Sequence, residues 1–85
     1  MDRERIIWGY VQQIIKKKIT NPSLEAWLMD TRLEELRDLE AKFVVSVPTS
    51  DMRDVLETCC KQAIEEGFRT VTKLKYQAEF VVRID

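Results

Sequence analysis

Apolar residues near the start of the chain recur with a helical period. Ile6, Tyr10 and Ile14 stand four apart, and Ile7, Val11 and Ile15 form a second such row. The spacing predicts a helix from Arg3 to Lys18. With Trp8 added, these residues cover an arc of roughly 200° on a helical wheel. A helix resting on a single core needs little more than about 100°. The excess lies at two edges, Trp8 and Ile15 on one and Ile6 and Tyr10 on the other. Lys16, Lys17 and Lys18 close the helix where cations complement its dipole. A short second helix follows: Asn21 is a good N-cap and Pro22 sits at the first helical position. Leu24, Trp27 and Leu28 share one face of it, with Trp27 the expected core anchor.

The pattern is less decided from residue 31 to 48. Leu33 to Leu39 has helical propensity, whereas Ala41 to Val47 is β-rich and ends at Pro48. Two readings compete: an extended second helix, or a hairpin pairing residues near 32–37 with 42–47 through a turn at Asp38 to Ala41. That turn contains no glycine. After Pro48, Ser50 is positioned to cap a long helix whose stripe is Met52, Val55, Leu56, Cys59 and Ala63. The stripe drifts toward Ile64, Phe68 and Val71, which carries the helix to about Thr72. The competing reading ends it at Gly67 as a C-cap and makes Phe68 to Leu74 a strand. Tyr76, Ala78, Phe80, Val82 and Ile84 alternate with their neighbours, the period of a half-buried strand.

Composition narrows the chemistry. The 85 residues carry 14 Lys+Arg against 15 Asp+Glu, two cysteines and no histidine. The length predicts one domain, residues 1–85, with little core to spare. Without histidine there is no imidazole base, triad or His metal ligand. Cys59 and Cys60 are adjacent, unsuited to a strain-free disulfide on a helix and two ligands short of a closed zinc site. Gly9 and Gly67 are isolated, so no phosphate-cradling loop is present. The expectation is a non-enzyme with no cofactor and no metal. No apolar run has membrane-span length and no signal-peptide core opens the chain, so a cytoplasmic location is expected. A net charge of −1 argues against a general nucleic-acid binder.

The order of elements and their anchors resemble the N-terminal domain (domain I) of the bacterial replication initiator DnaA. The likeness rests on Trp8 in the first helix, on Lys17-Lys-Ile-Thr-Asn-Pro-Ser-Leu-Glu-Ala-Trp27, on a strand ending in Val47-Pro48, and on a helix followed by Glu79-Phe-Val-Val82. It spans roughly residues 6–83. The resemblance implies an α+β, KH-like domain of order α-α-β-β-α-β, with three strands and helices packed on one side of the sheet. It also implies the hairpin and the long last helix.

In that family the domain mediates initiator self-association, contacts the replicative helicase and receives regulatory proteins. The self-association surface carries over to Ile6, Ile7 and Trp8, and the wide apolar arc adds Tyr10, Val11 and Ile15. Helicase or regulator contacts map to Ser23, with Glu25 nearby, and to Asp51. There the family has an acidic residue and an aromatic, and its usual tryptophan in the last helix is Val55. Weak single-strand DNA binding would use Lys16, Lys17, Lys18, Lys73 and Lys75 for phosphates and Trp8 or Tyr76 for stacking. The Gly-x-x-Gly backbone clamp of KH domains is absent. The expected partners are other initiator molecules or itself, a replicative helicase or a regulatory protein, with no membrane.

Overall fold

The computed structural model describes residues 3–83. Two helices come first, α1 (Arg3–Lys16) and α2 (Pro22–Met29), followed by strands β1 (Arg32–Arg37) and β2 (Lys42–Val47). A third helical stretch comprises α3 (Ser50–Val55), a π-helical turn (Leu56–Cys60) and α4 (Lys61–Thr72), and β3 (Gln77–Val82) closes the order. The class is therefore α+β in the expected order α-α-β-β-α-β. Strand β2 is central, antiparallel to β1 and parallel to β3. Ile84, counted in the last strand's alternation, lies outside the described residues.

The undecided stretch is a hairpin. Its turn, Asp38–Glu40, is a single 3₁₀ turn closed by Ala41 at φ 54°. Alanine thus occupies the left-handed position where glycine is usual, at a cost of roughly 1–2 kcal/mol. Glu34 is an extra residue in β1: Leu33 pairs with Val45 but Glu35 with Val44. The bulge lets Leu33 and Leu36, three apart, both face the core. Without it one of them would point away, because side chains alternate along a strand. That irregular spacing is what made the segment read as helical.

The core lies between the helices and one sheet face. Val11, Ile15, Leu28, Phe43, Val45, Val47, Leu56, Ile64 and Phe68 are fully buried there. On the other face, Arg37 reaches from β1 across β2 to Glu79 on β3, 3.6 Å away. Val44, between them on β2, is also buried. Arg83 Nη1 similarly donates to Ser46 Oγ at 3.2 Å. On α2, Leu28 is the buried anchor and Trp27 packs only at the core's margin, contrary to expectation.

Met52, Leu56, Cys60, Ile64 and Phe68 are all buried at four-residue spacing. In a regular α-helix each such step drifts by about 40°, spreading the five across about 160°. The π turn takes one extra residue into the helix and absorbs much of this drift. The N-cap is Thr49, not Ser50, because extended backbone at Thr49 aims its hydroxyl at the Met52 N–H, 3.2 Å away.

Gly67 lies inside α4 and does not end it. Its missing side chain admits α1 instead, since a Cβ there would stand 3.1 Å from Ile15 Cγ1 and 3.4 Å from Val11 Cγ1. At Gly9 nothing lies within 4 Å of the same added atom. Gly9→Ala is expected to raise unfolding free energy by about 0.5–1 kcal/mol through helix propensity. Gly67→Ala should be less stable than Gly9→Ala, and Gly67→Leu should fall below the parent by at least about 1–3 kcal/mol through overpacking. Urea titration of the three variants checks this ordering.

Candidate functional site

The residues expected on the partner face of α1 divide in two. Trp8, Val11 and Ile15 are buried in the core. Trp8 donates through Nε1 to Thr31 Oγ1 at 2.9 Å and lies against Phe43, with ring centroids 6.3 Å apart. The expectation that Trp8 stands on a free flank is therefore corrected: α2, β1 and β2 cover that edge of the arc. The opposite edge stays open, with Ile6 44% and Tyr10 63% exposed and Ile7 half-buried.

This open edge borders an apolar groove of about 300 Å³ at the N-terminal end of α1. Its walls are Ile7 of α1, Leu36 and Asp38 of the hairpin, and Phe68, Val71 and Leu74 at the end of α4. Arg3 stands at its edge. Helix α1 runs antiparallel to α4, since Gly67 meets Ile15 near one end while Ile7 meets the Val71 region at the other. Two more apolar side chains add to this end of the molecule, Leu74 at 39% exposure and Leu39, fully exposed at the hairpin tip. Neither stood out in the sequence. The one available signal was a leucine between two acids, Asp38-Leu39-Glu40, in a segment that also read as helix.

The predicted lysines do not form one patch. Lys16 pairs with Glu25 at 3.5 Å and Lys18 with Glu66 at 3.6 Å, while Lys17 is exposed. Lys73 and Lys75 lie beyond the far end of α4, near the start of α1. That helix of 14 residues separates the two groups by about 20 Å. Lys73 takes the left-handed position that closes α4, at φ 66°. With Arg69 and Thr70 it and Lys75 line one shallow depression. No ion pair reaches Arg69, Lys73 or Lys75 among the described residues.

Ser23 is exposed in the first turn of α2, where its N–H donates to the Asn21 cap at 2.9 Å. Glu25 is half-buried and held by Lys16, whereas Asp51 is exposed on α3. No hydrogen bond or ion pair joins Asp51 to either of them among the described residues. No group of three or more His, Cys, Asp or Glu side chains is placed to hold a metal there either. No helix among those residues is long and apolar enough to cross a membrane. No protein-family model matches the chain.

Three local environments shift titrating groups, the first being Arg37, raised by its hydrogen bond to Glu35 and the charges around it. Tyr76 donates its hydroxyl to Asp38 Oδ1 at 2.7 Å, and this bond holds its pKa above the usual phenol value. It ties the start of β3 to the hairpin wall of the groove. Burial pushes the Cys60 thiol up, with a further push from Cys59, whose own side chain is exposed.

A raised phenol pKa means the neutral form is favoured by folding, so its stabilisation is present below the unfolded value and lost as pH rises through the folded one. The stability gap between the parent and Tyr76→Phe is thus expected to be positive at pH 7 and to shrink above about pH 10. Denaturant titrations across that range measure it. Thiol labelling at neutral pH should show one fast equivalent, absent in Cys59→Ser, and one slow equivalent that appears on unfolding.

Proposed function

We propose that the chain is a non-catalytic protein-interaction module of replication initiation, related in role to domain I of the initiator DnaA. The observation that carries the interaction reading is the exposed flank of α1. Ile6 and Tyr10 lie in the open next to Ile7, which lines an apolar groove, while Trp8, Val11 and Ile15 of the same helix belong to the core. The sequence motifs described above, and not the fold, supply the link to initiators. Exposed apolar residues that join a groove mark contact surfaces, whereas single ones scattered over a surface need no explanation. On this reading the partners are initiator molecules, the replicative helicase or a regulator, met through Ile6, Ile7 and Tyr10. A cytoplasmic location belongs to the same reading. A single-strand nucleic-acid role is less supported, because Lys16 and Lys18 are engaged by carboxylates and lie far from Lys73 and Lys75.

Titration of the isotope-labelled domain with the purified initiator and, separately, the replicative helicase of the same organism tests this. Amide shifts clustered on α1 around Ile6, Ile7 and Tyr10 are expected for at least one of them. Paired replacement Ile6→Ser with Tyr10→Ser should weaken binding by at least about tenfold. Absence of binding to both proteins overturns the assignment.

A further inference from the structure

The sheet has two outer edges, and they are protected unequally. Strand β1 carries the bulge at Glu34 and the charged residues Arg32, Glu34, Glu35 and Arg37. Bulges and charges of this kind keep a strand edge from pairing with another chain. Strand β3 keeps an unbroken register with β2 and contains no bulge, proline or lysine. Its second half is Phe80-Val81-Val82, a run of strong strand formers.

Backbone groups along β3 point alternately toward β2 and away from it. The Gln77 and Arg83 amides point inward, donating to the Ala41 carbonyl at 2.9 Å and the Val47 carbonyl at 2.8 Å. Ala78, Phe80 and Val82 therefore turn their N–H and C=O groups to the outer edge. Helix α4 closes the first of these positions, where Glu65 Oε2 accepts from the Ala78 N–H at 2.8 Å. No strand lies beyond β3, and nothing caps the Phe80 or Val82 N–H among the described residues. Open donors and acceptors along a strand edge are a template for one more strand.

Where α4 passes the start of β3, the two form a groove of about 260 Å³. Glu65, Glu66 and Arg69 line it from the helix, and Lys75, Tyr76 and Gln77 from the other side. Its carboxylates are engaged, Glu65 by the Ala78 amide and Glu66 by Lys18 at 3.6 Å. Arg69 and Lys75 have no ion-pair partner among the described residues. The unmet charge of the groove is therefore positive.

We infer that the outer edge of β3 is a docking site for an extended peptide segment of a partner protein, which adds to the sheet as a fourth strand. The backbone of that segment bonds to Phe80 and Val82. An acidic residue near one of its ends enters the groove and meets Arg69 and Lys75. Ala78, already closed by Glu65, marks the boundary between the two parts. The inference goes beyond the α1 reading and does not rest on it, since the two surfaces share no residue.

Selection from random decapeptides displayed on phage, then hydrogen exchange of the labelled domain with the most enriched peptide, tests this. In the free domain the Phe80 and Val82 amides should exchange faster than those of Glu79 and Val81, which face β2. Saturating peptide should slow both outward amides by at least about tenfold. Enriched peptides should carry Asp or Glu toward one end. Val82→Pro removes an outward donor and spares the bonds to β2, a change that edge strands tolerate. It should weaken binding by at least about tenfold. N-methylation of alternate peptide amides probes the same bonds from the other side, whether or not that variant folds. One alternate set should abolish binding and the other should be silent. Arg69→Glu with Lys75→Glu should lower affinity by about tenfold, whereas Ile6→Ser with Tyr10→Ser should leave it unchanged. The inference is overturned if no peptide is enriched, or if the bound peptide leaves both outward amides unprotected. Binding that ignores Val82→Pro but is lost with the Ile6 and Tyr10 pair overturns it too. No initiator or helicase is present, so failure here leaves the α1 titration untouched, and the reverse also holds.

Discussion

Four aromatic rings set in a row, Trp8, Phe43, Phe68 and Tyr76, join every layer of this small domain. Phe43 and Phe68 stack with centroids 4.1 Å apart, and Phe68 and Tyr76 with centroids 5.8 Å apart. The row runs from α1 through the central strand and α4 to the start of β3. Its two ends are fixed by hydrogen bonds: the Trp8 indole donates to Thr31 and the Tyr76 hydroxyl to Asp38. Aromatic pairs add roughly 0.5–1.5 kcal/mol each beyond the area they bury. In a chain of this length that increment is a sizeable part of net stability.

The Trp8 end of the row also organises the turn between α2 and β1. Thr31 Oγ1 both accepts from Trp8 and donates to the Leu28 carbonyl, and Gln12 Nε2 donates to that same carbonyl at 3.0 Å. The last carbonyls of a helix lack partners within it, and here α1 supplies one. Arg83 Nη2 reaches the Asp30 carbonyl from the far side at 2.9 Å. The short α2 is therefore held by its end as much as by its face. Committing Trp8 to this work removes it from the surface and leaves Ile6 and Tyr10 as the open part of α1.

Much of the fold was legible in the residues. The Asn21-Pro22 start of α2 and the alternation through Phe80 are local signals, and local geometry obeyed them. The hairpin was legible only as one of two options, because the bulge at Glu34 and the left-handed Ala41 both break the patterns that mark a hairpin. Of the expected contact face, one edge of the wide arc on α1 is exposed, at Ile6 and Tyr10, and the other is buried. A helical wheel records which residues are apolar but not which edge a later segment covers, and Thr31 and Phe43 lie more than twenty residues beyond Trp8. The groove was illegible for the same reason, since it is assembled from three elements that meet only after folding. Leu39 and Leu74 acquire meaning only from that meeting.

The parallel register between β2 and β3 sets a timetable for folding. Each matched pair, from Lys42 with Gln77 to Val47 with Val82, joins residues thirty-five positions apart. Pairs in the β1–β2 hairpin lie much closer along the chain, down to Arg37 with Lys42. Closing the longer loop costs conformational entropy before any strand contact repays it. The hairpin therefore closes a much shorter loop than the pairing of β3 with β2 does. The widened turn at Leu56–Cys60 lies within that span, so the helix that delivers β3 must first settle its own offset.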